Sequence, residues 1–310
     1  MRIALVDPSS TTRLILTRLL SARGHESIPF SDGLEALQRI ELDLGIDALI
    51  TSAELNTMSG FELCWEARLL ATHQRPIYIL LMSSTSDRQQ LIEALDSGAD
   101  DFIGKPPLAE ELYARLRAAE RISKMQRELV WLATTDAMTG LCNRRYFFER
   151  ATELCNRSIG LTPVSAIVWD LDNFKTINDT YGHHIGDLAI KTCASLTPTN
   201  EGLVGRIGGD EFAMMLERKS LPEAIEIAED FRIKLAASSV DTGSGPIKLT
   251  CSIGVSEAEP GDDIDSLLRR ADIALYDAKL GGRNRVVGAE PFAFRDRARP
   301  RTTIRSAARC

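Results

Sequence analysis

Two carboxylates in the second half of this 310-residue chain are candidates to hold a metal ion together. Asp170 ends an apolar run that begins at Val164, and Asp210 stands in the segment Gly208-Gly209-Asp210-Glu211-Phe212. The apolar runs on both sides of Gly208-Gly209 predict a β-hairpin, which would bring Asp210 beside the strand that ends at Asp170. Two carboxylates this close repel each other unless a cation lies between them, and hard oxygen ligands favour Mg²⁺ or Mn²⁺.

Basic and amide side chains in the same half are candidates to bind a nucleotide. Lys279 and Arg283 follow an apolar helical pattern, and each would form a charge-assisted hydrogen bond with a phosphate. By residue type alone, Asn178 fits a turn or helix cap and Asp187 fits a charge near a helix N-terminus. Gly209 lacks a side chain and would let a nucleotide approach the backbone. An acidic turn on a solvated loop is the alternative interpretation of the glycine segment.

The ordered set of motifs resembles the GGDEF family, the diguanylate cyclases, which condense two GTP into cyclic di-GMP. The resemblance covers the C-terminal half and includes the opening motif Asp136-Ala137-Met138-Thr139-Gly140-Leu141, where Asp136 is expected to cap a helix or pair with an arginine. It implies a ferredoxin-like, palm-type α+β nucleotide cyclase domain over residues 136–288. It also implies a homodimer, because each catalytic domain would hold one GTP and two such domains must face each other.

The resemblance also assigns roles to the candidate residues. The 3′-hydroxyl of one GTP would attack the α-phosphorus of another, with two Mg²⁺ or Mn²⁺ ions per active site held by Asp170, Asp210 and the Leu171 carbonyl. Asp210 and Glu211 are both needed, and the sequence leaves open which of them is the base. The predicted substrate-binding set is Lys175, Lys279 and Arg283 for phosphates, Asn178 and Asp187 for guanine, and in addition Phe174 and Gly209.

The first 120 residues alternate apolar runs with helical patterns, which predicts a flavodoxin-like, doubly wound parallel α/β sheet over residues 1–120. They resemble the receiver domain of bacterial response regulators, in which an Asp at a strand end takes a phosphoryl group beside Mg²⁺. In this chain the phosphoacceptor position falls on Ser52, and a proline follows Asp7 where a second metal carboxylate is expected. The positions that remain of the receiver site are Asp7, Ser52, Ser83 and Lys105.

A serine needs a general base before it acts as a nucleophile, and the loss of two carboxylates weakens Mg²⁺ binding. We therefore expect a degenerate receiver that aspartyl phosphorylation does not switch, with an unusual but working receiver as the alternative. Glu54 lies nearby in sequence, but its side chain is expected to point elsewhere. The sequence leaves the input signal open, and likewise any partner histidine kinase.

Residues 121–135 are predicted to form a helical linker, since the stretch from Leu108 to Thr135 contains no proline or glycine. A broken heptad-like stripe runs through this stretch: Leu112, Ala119, Ile122, Leu129 and Ala133. The stripe favours a coiled-coil stalk in a dimer, and an amphipathic helix packed on its own domain is the alternative. Residues 289–310 are predicted to form a basic, disordered tail.

The composition argues against several classes of function. The net charge of −7 and the lack of a helix-turn-helix segment argue against a DNA-binding response regulator, and no nucleic-acid partner is expected. No apolar run is long enough for a membrane span and the N-terminus resembles a strand, so we expect a cytoplasmic protein. The six cysteines lack metal-ligand spacing and are expected to be reduced thiols.

Two further expectations concern the activity. Many GGDEF cyclases carry an Arg-x-x-Asp product-inhibition site five residues before the glycine pair, but here those positions are Thr199-Asn200-Glu201-Gly202. We expect no product inhibition through this loop, because threonine cannot stack on guanine as a guanidinium does. The alternative to an active cyclase is a binding module for GTP or cyclic di-GMP whose catalysis has lapsed, as the degenerate receiver shows decay elsewhere in the chain.

Overall fold

The computed structural model describes three stretches of the chain, residues 1–71, 75–84 and 88–289. The chain divides into two compact units, of which the first comprises Met1–Trp131 and the second begins at Leu132. Within the described stretches, every helix is too short or too polar to cross a membrane. Residues 290–310, which make up nearly all of the predicted basic tail, lie outside the described residues.

The first unit contains a parallel sheet with helices between its strands. The strands are β1 (Arg2–Val6), β2 (Glu26–Phe30), β3 (Ala48–Ser52), β4 (Tyr78–Ser83) and β5 (Asp101–Gly104). The helices are α1 (Ser10–Ser21), α2 (Gly33–Leu42), α3 (Gly60–Leu70), α4 (Arg88–Asp96) and α5 (Ala109–Thr134). The strand order β2-β1-β3-β4-β5 confirms the predicted doubly wound sheet.

Burial of the central strands explains why their sequences are so apolar. Every residue of β3 and β4 is buried, as expected for parallel strands that helices cover on both faces. Leu49 and Ile79 belong to the core on one face, and Ile50 and Leu80 belong to the core on the other. Parallel strands end at the same edge of the sheet, and the receiver-site remnant gathers at that edge: Asp7, Ser52, Ser83 and Lys105.

The second unit is an α+β sandwich. Its strands are β6 (Val164–Leu171), β7 (Leu203–Arg206), β8 (Glu211–Glu217), β9 (Ser239–Asp241), β10 (Pro246–Lys248), β11 (Cys251–Glu257) and β12 (Val286–Gly288). Its helices are α6 (Arg144–Ser158), α7 (Phe174–Tyr181), α8 (His183–Leu196), α9 (Leu221–Ala237) and α10 (Ile264–Leu280). The main sheet has the order β12-β11-β6-β8-β7, and β9 and β10 form a separate pair.

The central strand β6 separates two cores. Trp169 on β6 stacks on Phe212 of β8 with 5.4 Å between ring centroids, and both belong to the core that α8 and α9 cover. Val168 belongs to the opposite core, against α6 and α10. Because side chains alternate along a strand, Asp170 lies on the same face as Val168, at the end where β6 leaves the sheet.

Helix α5 runs without interruption, as the lack of proline and glycine predicted. The predicted stripe is not a continuous seam, because Leu112 and Ala119 are buried in the core of the first unit. Ile122 and Leu129 are exposed, with 66% of Leu129 accessible to solvent. The first half of the helix therefore packs on its own domain, as the alternative interpretation held, and the later half presents exposed apolar side chains.

Candidate active site

The antiparallel pairing of β6 with β8 brings the predicted carboxylates to one end of the sheet. In this register Asp170 lies opposite Glu211, while Asp210 stands in the turn that precedes β8. The Leu171 amide donates to the Asp210 carbonyl oxygen, with an N–O distance of 3.4 Å. Asp210 lies close enough to Asp170 to act on its pKa, as the hairpin led us to expect, and the register adds Glu211 as the direct cross-strand neighbour.

Negative charge accumulates at this end of the sheet. Burial is the main cause that raises the pKa of Asp170 to about 6; Asp210 and Glu211 act in the same direction, and Lys279 acts against them. The Lys279 Nζ lies 3.0 Å from Asp170 Oδ2. Burial, followed by the charge of Glu211, also raises the pKa of Asp272 on α10. A cavity of about 420 Å³ opens on this face, with Glu211, Asp272 and Lys279 in its wall.

A divalent cation fits this donor set. Within the described stretches, no three His, Cys, Asp or Glu side chains gather as a metal cluster. The ligands that the family resemblance predicts are two carboxylates and the Leu171 carbonyl. Oxygen donors of this kind suit Mg²⁺ or Mn²⁺, and Mg²⁺ in particular takes its other ligands from water and substrate phosphates. The carboxylates outnumber the single Lys279 ammonium, and the pKa of Asp170 is raised, so an added cation would relieve their repulsion.

Arg206, at the end of β7, stabilises the glycine turn before β8 through hydrogen bonds. Its Nη2 and Nε donate to the Gly209 carbonyl oxygen at 2.7 and 3.1 Å, and its Nη1 lies 3.2 Å from Asp136 Oδ1. Asp136 thus pairs with an arginine, one of the two structural roles expected for it. A Cβ on Gly208 would crowd Glu211 Oε2 at 2.5 Å, whereas a Cβ on Gly209 would meet nothing within 4 Å. Gly208 therefore makes room for Glu211, and the turn is open at Gly209.

The α7–α8 corner places Asn178 against the second helix. Gly182, with a φ of 83°, ends α7 and begins α8. Gly186 packs so tightly on Asn178 that a Cβ at this position would clash with Asn178 Oδ1, and Phe174 Cζ would lie 3.3 Å from it. This Oδ1 is buried and has no hydrogen-bond partner among the described residues, and Asp187 follows on α8. A buried unpaired acceptor favours a donor from a ligand at this position.

The three predicted phosphate ligands differ in how the chain holds them. Lys279 lies in the last turn of α10 and contacts Asp170. Arg283 is exposed in a left-handed conformation with a φ of 63°, and its amide donates to the Ala278 carbonyl oxygen at 3.1 Å. Lys175 is exposed in the first turn of α7. Their assignment to phosphates stays a prediction.

The sequence analysis gave no role to Asp172, which belongs to the same motif as Asp170. Its Oδ1 accepts from Ser252 Oγ at 2.6 Å, and its Oδ2 accepts from Thr250 Oγ1 at 2.8 Å and from the Asn284 amide at 3.0 Å. These partners lie 78 to 112 residues away along the chain. The only local signal was a second aspartate two residues after the first, so the strand pairing was needed to find this network.

The remnant of the receiver site in the first unit is an ionic cluster. Lys105 Nζ lies 2.6 Å from Asp7 Oδ2, 2.5 Å from Ser52 Oγ and 3.9 Å from Glu54 Oε2. The expectation that Glu54 points elsewhere is wrong, since its Oε2 accepts from Ser52 Oγ at 3.3 Å. The physical reason is local: the Ser52 hydroxyl also accepts from the Glu54 amide at 3.1 Å, and this turn folds Glu54 back over the strand end. Ser83 is buried at the end of β4.

Comparison with known proteins matches the two domains that the sequence predicted, in the same order along the chain. Residues 133–285 match the family model for the GGDEF domain of diguanylate cyclases, and residues 3–117 match the response regulator receiver domain. Response regulator PleD of Caulobacter vibrioides (strain NA1000 / CB15N) is 34% identical over 286 residues, which cover 87% of this chain and 63% of PleD. Diguanylate cyclase DgcM of Escherichia coli K12 is 39% identical over 171 residues, which cover 54% of this chain and 41% of DgcM. The chain thus spans less than two thirds of the length of either relative.

The crystal structure of the coiled coil and GGDEF domain of DgcB from Caulobacter crescentus, in complex with c-di-GMP, resembles the chain with a TM-score of 0.52. The two are 34% identical, and the match covers 57% of this chain and 99% of that chain. This likeness confirms the predicted nucleotide cyclase architecture. Since both family models match in sequence order and each falls on a sheet of the predicted type, the chain belongs to the GGDEF family, with a receiver domain ahead of its GGDEF domain.

Proposed function

We propose that this chain is a diguanylate cyclase that condenses two GTP into cyclic di-GMP and pyrophosphate. The observation that carries the proposal is the grouping of Asp170, Asp210 and Glu211 at one end of the sheet, where Lys279 offsets only part of their charge. The relatives support it, since one named diguanylate cyclase is 39% identical over the catalytic half and the DgcB structure holds c-di-GMP.

Guanine recognition is proposed for the α7–α8 corner. The Asn178 Oδ1, which is buried and unpaired, would accept from a donor on the base. Ionised Asp187 would accept from the N1–H and the exocyclic amine of guanine. Adenine lacks this donor pair and would leave the carboxylate unpaired, which is how such a site discriminates. Phe174 and the open backbone at Gly209 border the path of the nucleotide.

The triphosphate is proposed to lie between the β6 end and the loop after α10. Lys279 and Arg283 bind its β- and γ-phosphates through charge-assisted hydrogen bonds, and Lys175 adds a third positive charge. Holding the two substrates in line makes attack of the 3′-hydroxyl on the α-phosphorus effectively intramolecular. Pyrophosphate then leaves, and Lys279 and Arg283 offset the charge that it carries away.

The carboxylates are proposed to hold the metal ions and to take the proton. Asp170, Asp210 and the Leu171 carbonyl would hold two Mg²⁺ or Mn²⁺ ions, which supply charge neutralisation on the phosphates and a lowered pKa of the 3′-hydroxyl when bound. Glu211 lies directly across from Asp170, and either Glu211 or Asp210 accepts the hydroxyl proton. Arg206 keeps both in place through the Gly209 carbonyl.

The reaction needs two loaded catalytic domains, so a homodimer is part of the proposal. Exposed Ile122, Met125 and Leu129 on α5 support a helical stalk between two copies. We propose further that the receiver is not switched by aspartyl phosphorylation. Ser52 carries no carboxylate, and its hydroxyl is bonded to Lys105 and Glu54.

The test is incubation of the purified protein with GTP and Mg²⁺, without a phosphodonor, with cyclic di-GMP and pyrophosphate measured by chromatography. We expect product from the wild type, loss of product in Asp210→Ala, and wild-type rates in the matched control Asn200→Ala, which changes an exposed loop residue. A wild-type protein that binds GTP in calorimetry but forms no product would contradict the proposal and leave a binding module.

A further inference from the structure

Asp172 is a buried carboxylate that the proposed reaction leaves unused. Only 6% of the residue is exposed, and both of its oxygens accept hydrogen bonds from Ser252, Thr250 and the Asn284 amide. Its own amide donates to the Thr250 carbonyl oxygen at 2.9 Å. Asp172 therefore has a different role from Asp170, two residues earlier, since its oxygens face the protein interior rather than a ligand.

The bonds of Asp172 join three parts of the second unit. Asp172 itself follows the Leu171 carbonyl at the end of β6. Thr250 directly precedes β11, and Ser252 is the second residue of that strand. Asn284 belongs to the loop after α10, directly beside Arg283. One side chain thus connects the strand end that carries the proposed metal ligands with the loop that carries a proposed phosphate ligand.

The loop after α10 has an unusual backbone. Arg283 and Asn284 have φ values of 63° and 46°, in the left-handed region that residues other than glycine rarely adopt. Such a conformation persists when surrounding contacts hold it. Arg232 Nη1 bonds the Asn284 side chain at 2.8 Å, and Asp172 bonds its backbone at 3.0 Å. The hydrogen bond from the Asn284 amide to Asp172 fixes the loop relative to the end of β6.

We propose that Asp172 is a positioning residue that fixes the loop bearing Arg283 at the distance from the β6 carboxylates that a triphosphate requires. The inference rests on the proposed function, because it takes Arg283 as a ligand of the terminal phosphates. A carboxylate that accepts from a backbone N–H forms one of the stronger hydrogen bonds, so it orders the loop before the nucleotide arrives. A nucleoside monophosphate has no terminal phosphates and would bind equally well without Asp172.

The test compares two ligands in calorimetry with Mg²⁺ present. One is GMP, and the other is a GTP analogue with a methylene group between its α- and β-phosphorus atoms, from which pyrophosphate cannot leave. We expect Asp172→Ala to lower the ratio of analogue affinity to GMP affinity by about tenfold. Asp172→Asn keeps the shape and one acceptor but loses the charge, and we expect a fall of about threefold, since charged hydrogen bonds are roughly twice as strong as neutral ones.

Two reference variants separate the possible outcomes. Thr250→Val removes a hydroxyl from the same carboxylate without changing the Asn284 bond, and its affinity ratio should stay within about twofold of the wild type. Arg283→Ala should lower the ratio by about tenfold or more, and an unchanged ratio there would overturn the phosphate role in the proposed function.

If Arg283→Ala lowers the ratio and the Asp172 variants do not, the inference on Asp172 alone is wrong. Equal losses of both affinities in the Asp172 variants would likewise overturn it, because they would indicate a general loss of structure. Should Asp172→Ala not fold, Asp172→Asn decides by the same criterion.

Discussion

Both units of this protein have a lysine–aspartate pair at an end of the sheet, but the surroundings of the two pairs differ. In the receiver domain, Lys105 Nζ lies 2.6 Å from Asp7, whose side chain is 1% exposed, and Ser52 and Glu54 complete its contacts. In the GGDEF domain, Lys279 Nζ lies 3.0 Å from Asp170, whose side chain is 13% exposed. The first lysine is enclosed by its partners, whereas the second borders a cavity.

The two clusters differ in how far the charges of their side chains balance. Around Lys105, whose side chain is 16% exposed, hydroxyl and carboxylate groups of the chain supply partners for the ammonium. Around Lys279, burial is the main cause that raises the pKa values of Asp170 and Asp272, and the charge of Glu211 acts on both in the same direction. A bound cation would offset the excess negative charge around Lys279. Around Lys105, the side chains of the chain itself already pair the charges.

The largest expected effect is on the rate. Glu211→Gln keeps the shape of the side chain but removes its charge and its capacity to take a proton, so cyclic di-GMP formation should fall by roughly 10²- to 10⁴-fold. The matched change in the other cluster, Ser52→Ala, should leave the initial rate within about twofold. A Glu211→Gln protein with a tenth or more of the wild-type rate would break the comparison.

The second expected effect is on phosphorylation of the receiver. With a small-molecule phosphodonor and Mg²⁺, intact mass should show no acid-labile adduct on the wild type, because neither Ser52 nor Pro8 supplies a carboxylate. The double variant Pro8→Asp/Ser52→Asp restores both carboxylates and should gain one phosphoryl group. An adduct on the wild type that disappears in Ser52→Ala would contradict the degenerate receiver.

The third expected effect is on stability, with opposite signs in the two clusters. Asp7→Asn removes the charge of the buried carboxylate that lies 2.6 Å from Lys105 Nζ and should lower the free energy of unfolding by roughly 3 kcal/mol. Asp170→Asn, measured with a chelator, should raise it by roughly 1–2 kcal/mol at pH 7.5, since the environment of Asp170 disfavours its ionised form.

The sign of the Asp170 effect also depends on pH. The folded-state pKa is about 6 and the ordinary value is 3.8, so the folded protein holds this proton more tightly than the unfolded chain. The destabilisation by ionised Asp170 grows between pH 4 and 6 and is complete above pH 6. Thermal unfolding of wild type and Asp170→Asn should therefore agree near pH 4 and diverge as the pH rises. A difference in unfolding temperature between the two proteins that stays constant from pH 4 to 8 would argue against ionisation of Asp170 as the cause.

The smallest expected effect is the response to product. Gly202 stands where an inhibition site would have its aspartate, and a Cβ there would clash with the Met215 carbonyl oxygen. The loop is thus packed for glycine and has no guanidinium at Thr199. Cyclic di-GMP added to initial-rate assays should leave the rate within about twofold. Inhibition at low micromolar product that Asn200→Ala or Glu201→Ala removes would show that this loop binds it by other contacts.

Much of the fold followed from local patterns in the sequence. The alternation of apolar runs with helical patterns in the first 120 residues indicated a parallel α/β sheet, and the strand order confirms it. The glycine pair between apolar runs indicated the β7–β8 hairpin, which is present. The stripe on α5 left a stalk and a helix packed on its own domain both open, because periodicity does not say where a helix leaves its own domain; Leu112 and Ala119 belong to that domain's core.

The sequence by itself determined the kinds of groups available: carboxylates and lysines after apolar runs, in an order that belongs to one family. Tertiary structure alone decided which groups meet. Strand register put Glu211 rather than Asp210 opposite Asp170, and a tight turn folded Glu54 over Ser52. Asp172 meets Asn284 across 112 residues of chain. Such contacts depend on how strands and loops that are distant in sequence pair with each other. The residue types near each position do not determine that pairing.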